Sequence, residues 1–297
     1  MLKTKLKPYV HKVKGAKNYG LYDILNGNFY TLSPEGGIDT LKKSLNEAGL
    51  TFETEGTVPF PIALDMTHER ELLEIRELQI RVNGRPENNC LKREKKDREK
   101  RYISRECLVR IKQELTNIPV KVLRIEAETL EPGKIALLLE EFPYEKAILF
   151  IEEGITDGFK KQAQQICDFR STHLVFMKDG NREKEIKELK IRTYDFYYHH
   201  RFNPCLGQQV AVDCGGEIKP CLWMDKTLGT IGSDSIKNLI IAGTFDKYWG
   251  LTKDKITVCK DCEARYTCSD CRVSTTQRTG NGLDDNKPAF CTYDPYT

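Results

Sequence analysis

Long apolar runs and a strong excess of one charge are both missing from this chain. No apolar stretch approaches the roughly 18 residues that cross a membrane, and the opening MLKTKLKPYVHKVKG lacks the apolar core of a signal peptide. The 47 basic and 44 acidic side chains leave a net charge of +3, which does not indicate nucleic acid or an anionic membrane as a partner. With 39% hydrophobic and 31% charged residues among 297, the composition predicts a soluble, globular protein that can bury a core. Without a membrane span or a signal peptide, it is expected in the cytoplasm.

Common catalytic motifs are absent as well. The sequence has no Walker loop, no G-x-G-x-x-G, no H-E-x-x-H and no G-x-S-x-G. Nucleotide hydrolysis, dinucleotide binding and the usual hydrolase chemistries therefore have no support from motifs.

Cysteine is scarce until late in the chain. Residues 1–204 contain only Cys90, Cys107 and Cys167, and the other eight of the eleven cysteines follow. In a reducing compartment, clustered thiols are more often metal ligands or catalytic groups than disulfides. Cys107 and Cys167 lie in apolar helical patterns and are expected to be small buried hydrophobes, and Cys90 receives no role.

Residues 1–60 predict a small α/β region. Asn26 and Gly27 lie between apolar-rich flanks, which is typical of a β-hairpin. A helix is expected to follow, with Asp39 as its N-cap and Gly49 at its end.

Residues 61–204 alternate helix and strand patterns. Helices are expected at ELLEIRELQIRV, after Ser104, at GKIALLLEEF and at DGFKKQAQQICDF, and strands at VKVLRIEA, KAILFIEE and THLVFMK. Strands separated by helices predict βα units with a parallel sheet. The mixed charge run from Lys92 to Arg101 is interpreted as a solvated helix face or linker, and YYHHRF as a strand with structural histidines, His199 and His200, on opposite faces.

Residues 205–297 are rich in Gly, Asp, Thr and Cys and have only short apolar runs. Such a segment has little core of its own, so its fold is expected to depend on bound metal. Its eight cysteines are Cys205, Cys214, Cys221, Cys259, Cys262, Cys268, Cys271 and Cys291. Eight thiolates suit two four-ligand sites, and the spacing by itself leaves zinc and iron–sulfur both open. A disulfide framework is the remaining alternative.

The spacing resembles the SPASM domain, an extension of many radical S-adenosylmethionine enzymes that modify peptides. The family pattern is C-x(9–15)-G-x4-C, then C-x2-C-x5-C-x3-C, then a final Cys. The matching positions are Cys205, Gly216 and Cys221, followed by Cys259, Cys262 and Cys268. Cys271 departs from the pattern, because two residues and not three separate it from Cys268. The stretches VDCGGEIKPC and LGTIGSDSIKNLI are similar to the family's strand–turn–strand and its following helix.

The stretch WGLTKDKITVCKDCEARYTCSDCR resembles the subgroup from grasp-with-spasm systems, and VKGAKNYGLYDILNGNFYTL resembles the start of those proteins. In such systems a SPASM-domain peptide maturase accompanies an ATP-grasp ligase and a small precursor peptide. The resemblance implies two auxiliary 4Fe–4S clusters. By matching position, the first would take Cys205, Cys214, Cys221 and Cys271, and the second Cys259, Cys262, Cys268 and Cys291. For Cys214 an alternative stays open, in which it is an ordinary buried thiol and not a ligand.

The cysteine triad C-x3-C-x2-C of radical S-adenosylmethionine enzymes is missing. Cys90, Cys107 and Cys167 are far apart and share no short loop. S-adenosylmethionine is therefore not expected as a cofactor, radical chemistry by this chain alone is not expected, and no catalytic residue is assigned. The expected fold is α/β, with a truncated, partial-barrel-like βα region at 61–204 before a small cysteine-rich domain at 205–297 that metal clusters hold together.

Three hypotheses for function remain. The first is a maturation factor for a ribosomally synthesised and post-translationally modified peptide, which acts with a precursor peptide and an ATP-grasp ligase. The second is an iron–sulfur redox enzyme that modifies a peptide directly. The third is a zinc-binding interaction module without redox chemistry.

Overall fold

The computed structural model describes residues 3–34, 38–55, 73–84, 101–129, 142, 144–153, 161, 173–177, 191–273, 275 and 286–297. Its strands are β1 (Lys3–Leu6), β2 (Val10–Lys14), β3 (Tyr19–Asp23), β4 (Asn28–Leu32), β5 (Thr51–Thr54), β6 (Ile75–Arg81), β7 (Asn83–Gly84), β8 (Arg101–Tyr102), β9 (Val120–Thr129), β10 (Lys146–Glu153), β11 (His173–Met177), β12 (Gln209–Val212), β13 (Glu217–Lys219) and β14 (Gly229–Thr230). Its α-helices are α1 (Ile38–Glu47), α2 (Arg105–Leu115), α3 (Thr193–Arg201), α4 (Ile236–Ile241) and α5 (Asp246–Trp249), and two 3₁₀ turns cover Lys253–Lys255 and Cys259–Asp261.

The N-terminal region forms an antiparallel sheet of β2, β3 and β4 and a separate β1–β5 pair. The predicted hairpin is confirmed, because Asp23 pairs with Asn28 across the turn and Gly27 has a positive φ of 75°. Gly49 follows the end of α1 with a φ of 67°, as expected of a glycine that ends a helix. Asp39 was wrongly predicted as the N-cap, because α1 begins one residue earlier, at Ile38.

A seven-stranded sheet, in the order β11-β10-β9-β6-β12-β13-β14, forms the centre of the molecule. The first five strands are parallel, and β13 and β14 pair antiparallel at one edge. The protein is therefore a mixed α/β structure with a parallel sheet, as predicted. The predicted strands at VKVLRIEA, KAILFIEE and THLVFMK are β9, β10 and β11.

The segment ELLEIRELQIRV was wrongly predicted as a helix, because its described residues from Ile75 to Arg81 form strand β6. From Leu78 to Val82 the sequence alternates apolar and polar residues, which is the period of a strand. The strand pairs with β9 at one edge and with β12 at the other, so its backbone groups are hydrogen-bonded on both sides, and five of its seven residues are buried.

The two faces of the central sheet differ in chemistry. One face is apolar and includes Leu78, Ile80, Leu123, Ile125 and Leu149, all completely buried in one core. Helix α2 adds Ile111 and Leu115 to this core. Its N-cap is Ser104, as predicted, whose hydroxyl accepts a hydrogen bond from Cys107 N. The opposite face has the polar residues of β6 and β9.

Residues after Cys205 share the core of the sheet. Leu206, Val210, Val212 and Ile218 are completely buried in the same apolar cluster as β6 and β9, and β12 pairs in parallel with β6. The cysteine-rich segment thus gains apolar burial by joining the larger sheet.

Several predictions lie outside the described residues. These are the helix GKIALLLEEF except Phe142, the helix DGFKKQAQQICDF except Lys161, Cys90, Cys167 and the charge run before Arg101. Of the helices that are described, none has both the length and the apolar character that crossing a membrane requires.

Candidate metal centre

Cys205, Cys221 and Cys271 come together from three separate segments. The thiols of Cys205 and Cys271 share a hydrogen bond, and Cys221 lies close enough to both to interact with them electrostatically. The hydrogen bond with Cys271, followed by burial, raises the pKa of Cys205 well above its usual value. Burial raises the pKa of Cys221 to about 12. We refer to these three residues as the first thiol group.

Cys214 lies in the turn between β12 and β13, and its side chain is buried. Gly216 shapes this turn with a φ of 79°, and the Asp213 carboxylate accepts hydrogen bonds from the amides of Gly215 and Glu217. The strand, glycine turn and strand predicted before Cys221 are thus present. The role of Cys214 as a fourth ligand stays a prediction.

Cys259, Cys262, Cys268 and Cys291 form a second thiol group. Cys262 interacts electrostatically with Cys259 and Cys268, and Cys268 interacts with Cys291. Burial raises the pKa of Cys262 to about 12. Burial also raises the pKa of Cys259 and of Cys268, against the opposing effect of a nearby ammonium group.

The division of the eight cysteines into two ligand sets, which the resemblance to the SPASM domain implies, stays a prediction. Cys271 interacts with Cys205 and Cys221, while its close neighbour in sequence, Cys268, interacts with Cys291. The C-x2-C pair of Cys268 and Cys271 is thus divided between the groups.

A buried carboxylate, Asp270, connects the two groups. Its Oδ1 accepts hydrogen bonds from Cys271 N at 2.8 Å and Arg272 Nη2 at 2.6 Å. Its Oδ2 accepts one from Asn203 Nδ2 at 2.8 Å. Asn203 in turn accepts hydrogen bonds from the amides of Cys205 and Leu206, both at 2.9 Å. Asn203 and Asp270 therefore hold the backbone at two members of the first thiol group.

Lys253 is an unusual buried cation. Its side chain is 1% exposed, and its Nζ lies 3.3 Å from Asp270 Oδ1 without forming a hydrogen bond. Arg272 binds the same carboxylate oxygen, and the side chains of Arg272 and Asp270 are both completely buried. Two buried cations therefore contact one buried carboxylate, and both cations act on the thiols of Cys259 and Cys268.

The N-terminal sheet contacts the second thiol group through backbone and ring contacts. The Tyr22 hydroxyl donates to Glu263 O at 2.6 Å and accepts from Tyr266 N at 3.2 Å. Ala16 N donates to Asp261 O at 2.7 Å. A Cβ on Gly20 would lie 2.4 Å from Glu263 O, so this position requires glycine. The first 30 residues thus cover the loop that carries Cys259 and Cys262.

His199 and His200 are structural, as predicted, but they lie on helix α3 and not on a strand. His199 Nδ1 is 2.8 Å from Tyr266 O, and His200 Nδ1 is 2.8 Å from Phe196 O. The His200 ring also stacks on Tyr266 at 3.6 Å between centroids. Burial lowers the pKa of both histidines, so they are neutral packing groups beside the cysteine loop.

The chemistry open to the two groups is that of soft-metal ligands. All nine cysteines that the structure describes are free thiols, and thiolates favour zinc and iron–sulfur centres. Within the described ranges, no three or more His, Cys, Asp or Glu side chains are arranged so that they could hold a metal ion.

Sequence reasoning did not find Asn203, Lys253, Asp270 or Arg272. Two of them have a visible signal, because Asp270 and Arg272 flank Cys271 in the run CSDCR. Charged residues beside a presumed ligand suggest a supporting network. Asn203 and Lys253 belong to other segments, and only the tertiary structure brings them to Asp270.

No family model matches the chain, and no curated protein matches it. Among solved structures, the chain is similar to BtrN in complex with AdoMet and 2-DOIA, at 13% identity and a TM-score of 0.36, over 65% of this chain and 98% of that one. Selenomethionine BtrN in an open conformation matches at 13% identity and a TM-score of 0.36, over 63% and 92%. TM-scores of this size do not establish a shared fold.

We expect Tyr22→Phe to destabilise the protein by about 1–3 kcal/mol, because it leaves two buried backbone groups without their partner. Urea or thermal unfolding measures the loss. Tyr30→Phe on the neighbouring strand β4 is the matched control, since its ring is only half-buried. Equal stability of the two variants would contradict the role of Tyr22 in joining the sheet to the cysteine loop.

Proposed function

We propose that this chain is a maturation factor for a ribosomally synthesised peptide, of the SPASM type found in grasp-with-spasm systems. It would carry two 4Fe–4S clusters and act with a precursor peptide and an ATP-grasp ligase. The observation that carries the proposal is the grouping of distant cysteines, in which Cys271 joins Cys205 and Cys221 while Cys268 joins Cys291. Such a division between the last two cysteines of the block is what the family's ligand pattern requires, although the family has three residues between them and this chain has two.

The surroundings of the thiols fit an anionic metal centre. Lys253 and Arg272 are buried cations that share the Asp270 carboxylate, and both act on the thiols of Cys259 and Cys268. Positive charge in a buried place is stabilised by negative charge nearby. A cluster ligated by thiolates would supply such negative charge beside Cys259 and Cys268.

The proposed ligands are Cys205, Cys214, Cys221 and Cys271 for one cluster, and Cys259, Cys262, Cys268 and Cys291 for the other. Each thiolate of a cluster binds its own iron atom, so the proposal needs neighbouring sulfurs and not sulfurs that converge on one point. When bound, such clusters supply electron transfer and structural support. The chain's own residues would shield them in part, since Cys214, Cys221 and Cys259 are buried and the other proposed ligands are half-buried.

The docking of the N-terminal sheet supports a binding role. Hydrogen bonds from Tyr22 and Ala16 attach this sheet to the cysteine loop, so a peptide or ligase that binds the sheet would also bind next to the second thiol group. This arrangement favours a factor that presents a precursor to partner enzymes.

Anaerobic purification tests the clusters. We expect about eight iron atoms and eight sulfides per chain, with visible charge-transfer absorption.

The double variant Cys259→Ala/Cys262→Ala should lose about half of the iron, because only one thiol group is removed. Cys107→Ala is the control, because this thiol lies outside both groups. Near-stoichiometric zinc without charge-transfer absorption would leave the zinc-binding module as the function. Full metal in the double variant would refute the division of ligands.

Replacing Lys253 tests the charge argument. We expect Lys253→Met to lower the reduction potential of one cluster by about 60 mV or more, a tenfold change in a one-electron equilibrium. A buried positive charge favours the reduced, more negative centre, so its loss favours the oxidised one. Lys260→Met is the matched control, because Lys260 is exposed in the same loop and its charge is screened. Equal potentials in both variants would contradict a role for the Lys253 charge.

Co-expression tests the biological role. The precursor peptide and the ATP-grasp ligase are expressed with and without this chain, and the mass of the precursor is measured. We expect the modified mass to disappear or fall sharply when the chain is omitted. An unchanged mass would refute the maturation role, and a mass change produced by the purified chain on the precursor alone would favour the direct redox enzyme.

A further inference from the structure

The polar face of the central sheet contacts the loop that carries Cys221. Gln79 on β6 and Gln209 on β12 lie on neighbouring parallel strands, and both are buried, at 2% and 3% exposure. Gln79 Nε2 donates to Gln209 Oε1 at 3.0 Å. The two side-chain amides thus form a connected pair across the strands.

This amide pair binds the backbone on both sides of Cys221. Gln209 Nε2 donates to Pro220 O at 2.8 Å, and Gln79 Oε1 accepts from Leu222 N at 3.2 Å. One residue farther on, the Trp223 ring lies 4.6 Å from the Arg81 guanidinium carbon. The sheet thus contacts Pro220, Leu222 and Trp223, which lie on both sides of Cys221.

The strands beneath the loop are themselves rigidly connected. Arg81 binds Glu126 at 3.1 Å, and Arg124 binds both Glu126, at 3.1 Å, and Glu77, at 3.3 Å. Gln79 Nε2 also donates to Glu77 Oε1 at 2.8 Å. The charges of this network balance, two cations against two anions, so its contribution is orientation and not net charge.

We propose that Gln79 and Gln209 are positioning residues that hold Cys221 in the first thiol group. The amide pair fixes the peptide units before and after Cys221, so the direction of its thiol is determined by the sheet. Cys205 and Cys271 are held separately, by Asn203 and Asp270. The inference rests on the proposed function only in requiring Cys221 to be a metal ligand.

Gln79→Leu tests the proposal. It keeps the volume of the side chain but leaves Leu222 N and Gln209 without their partners. The variant is made in two backgrounds, Cys259→Ala/Cys262→Ala, which retains the first thiol group, and Cys205→Ala/Cys221→Ala, which retains the second. We expect the rate of iron loss to a chelator to rise about tenfold or more in the first background and to stay unchanged in the second, with a changed electron paramagnetic resonance signal only in the first.

Two further variants separate positioning from folding. Gln79→Glu keeps an oxygen that accepts from Leu222 N and should retain iron in the first background better than Gln79→Leu does. Gln209→Leu removes the donor to Pro220 O and should reproduce the loss seen with Gln79→Leu. Gln113→Leu, at an exposed position on α2, is the control for the chemical change, and circular dichroism confirms that each variant is folded.

The outcomes distinguish this inference from the proposed function. An absence of iron in the unmodified chain refutes the proposed function before any glutamine is changed. Iron in the unmodified chain together with unchanged chelation rates and spectra in both Gln79→Leu and Gln209→Leu refutes the positioning role. Equal iron loss in both backgrounds also refutes it, because a general loss of stability would affect both thiol groups.

Discussion

The buried carboxylate of Asp270 is the interaction on which the cysteine-rich region depends. Three segments reach it: the loop with Cys271 and Arg272, the segment before Cys205 through Asn203, and the 3₁₀ turn with Lys253. A buried charge is costly unless neighbouring groups form hydrogen bonds or ion pairs with it. These segments therefore pack in the arrangement in which their donors reach the Asp270 carboxylate. That requirement brings Cys205 and Cys271 together without any direct covalent link.

The two thiol groups depend on different parts of the protein. The first is attached to the central sheet, through the amides of Gln79 and Gln209 and through the core that surrounds Cys221. The second lies in a loop that the N-terminal sheet covers, with Tyr22 as the main contact. A change in the central sheet should therefore affect the first thiol group, and a change in the N-terminal region should affect the second. Asp270 interacts with residues of both groups.

The balance of buried charge gives the strongest physical link to function. The network on the sheet pairs Arg81 and Arg124 with Glu77 and Glu126. Beside Cys259 and Cys268, the buried cations Lys253 and Arg272 share the Asp270 carboxylate, and both favour the thiolate forms of these two cysteines against the effect of burial. A metal centre bound through thiolates would use this positive charge, which is why the proposed clusters fit these residues.

Local pattern by itself determined the parallel βα order, the Asn26–Gly27 hairpin, the Ser104 cap and the spacing of the eight cysteines, because each depends on residues close in sequence. It misassigned Ile75–Arg81 as a helix, because this segment becomes a central strand only by pairing with β9 and β12, which are distant in sequence. The tertiary structure decided which thiols meet and which side chains hold them. Asn203 is 67 residues from Asp270, and Gln79 is 143 residues from Leu222. Hydrogen bonds across such distances arise only when the sheet and the core have brought the segments together, and no local periodicity encodes them.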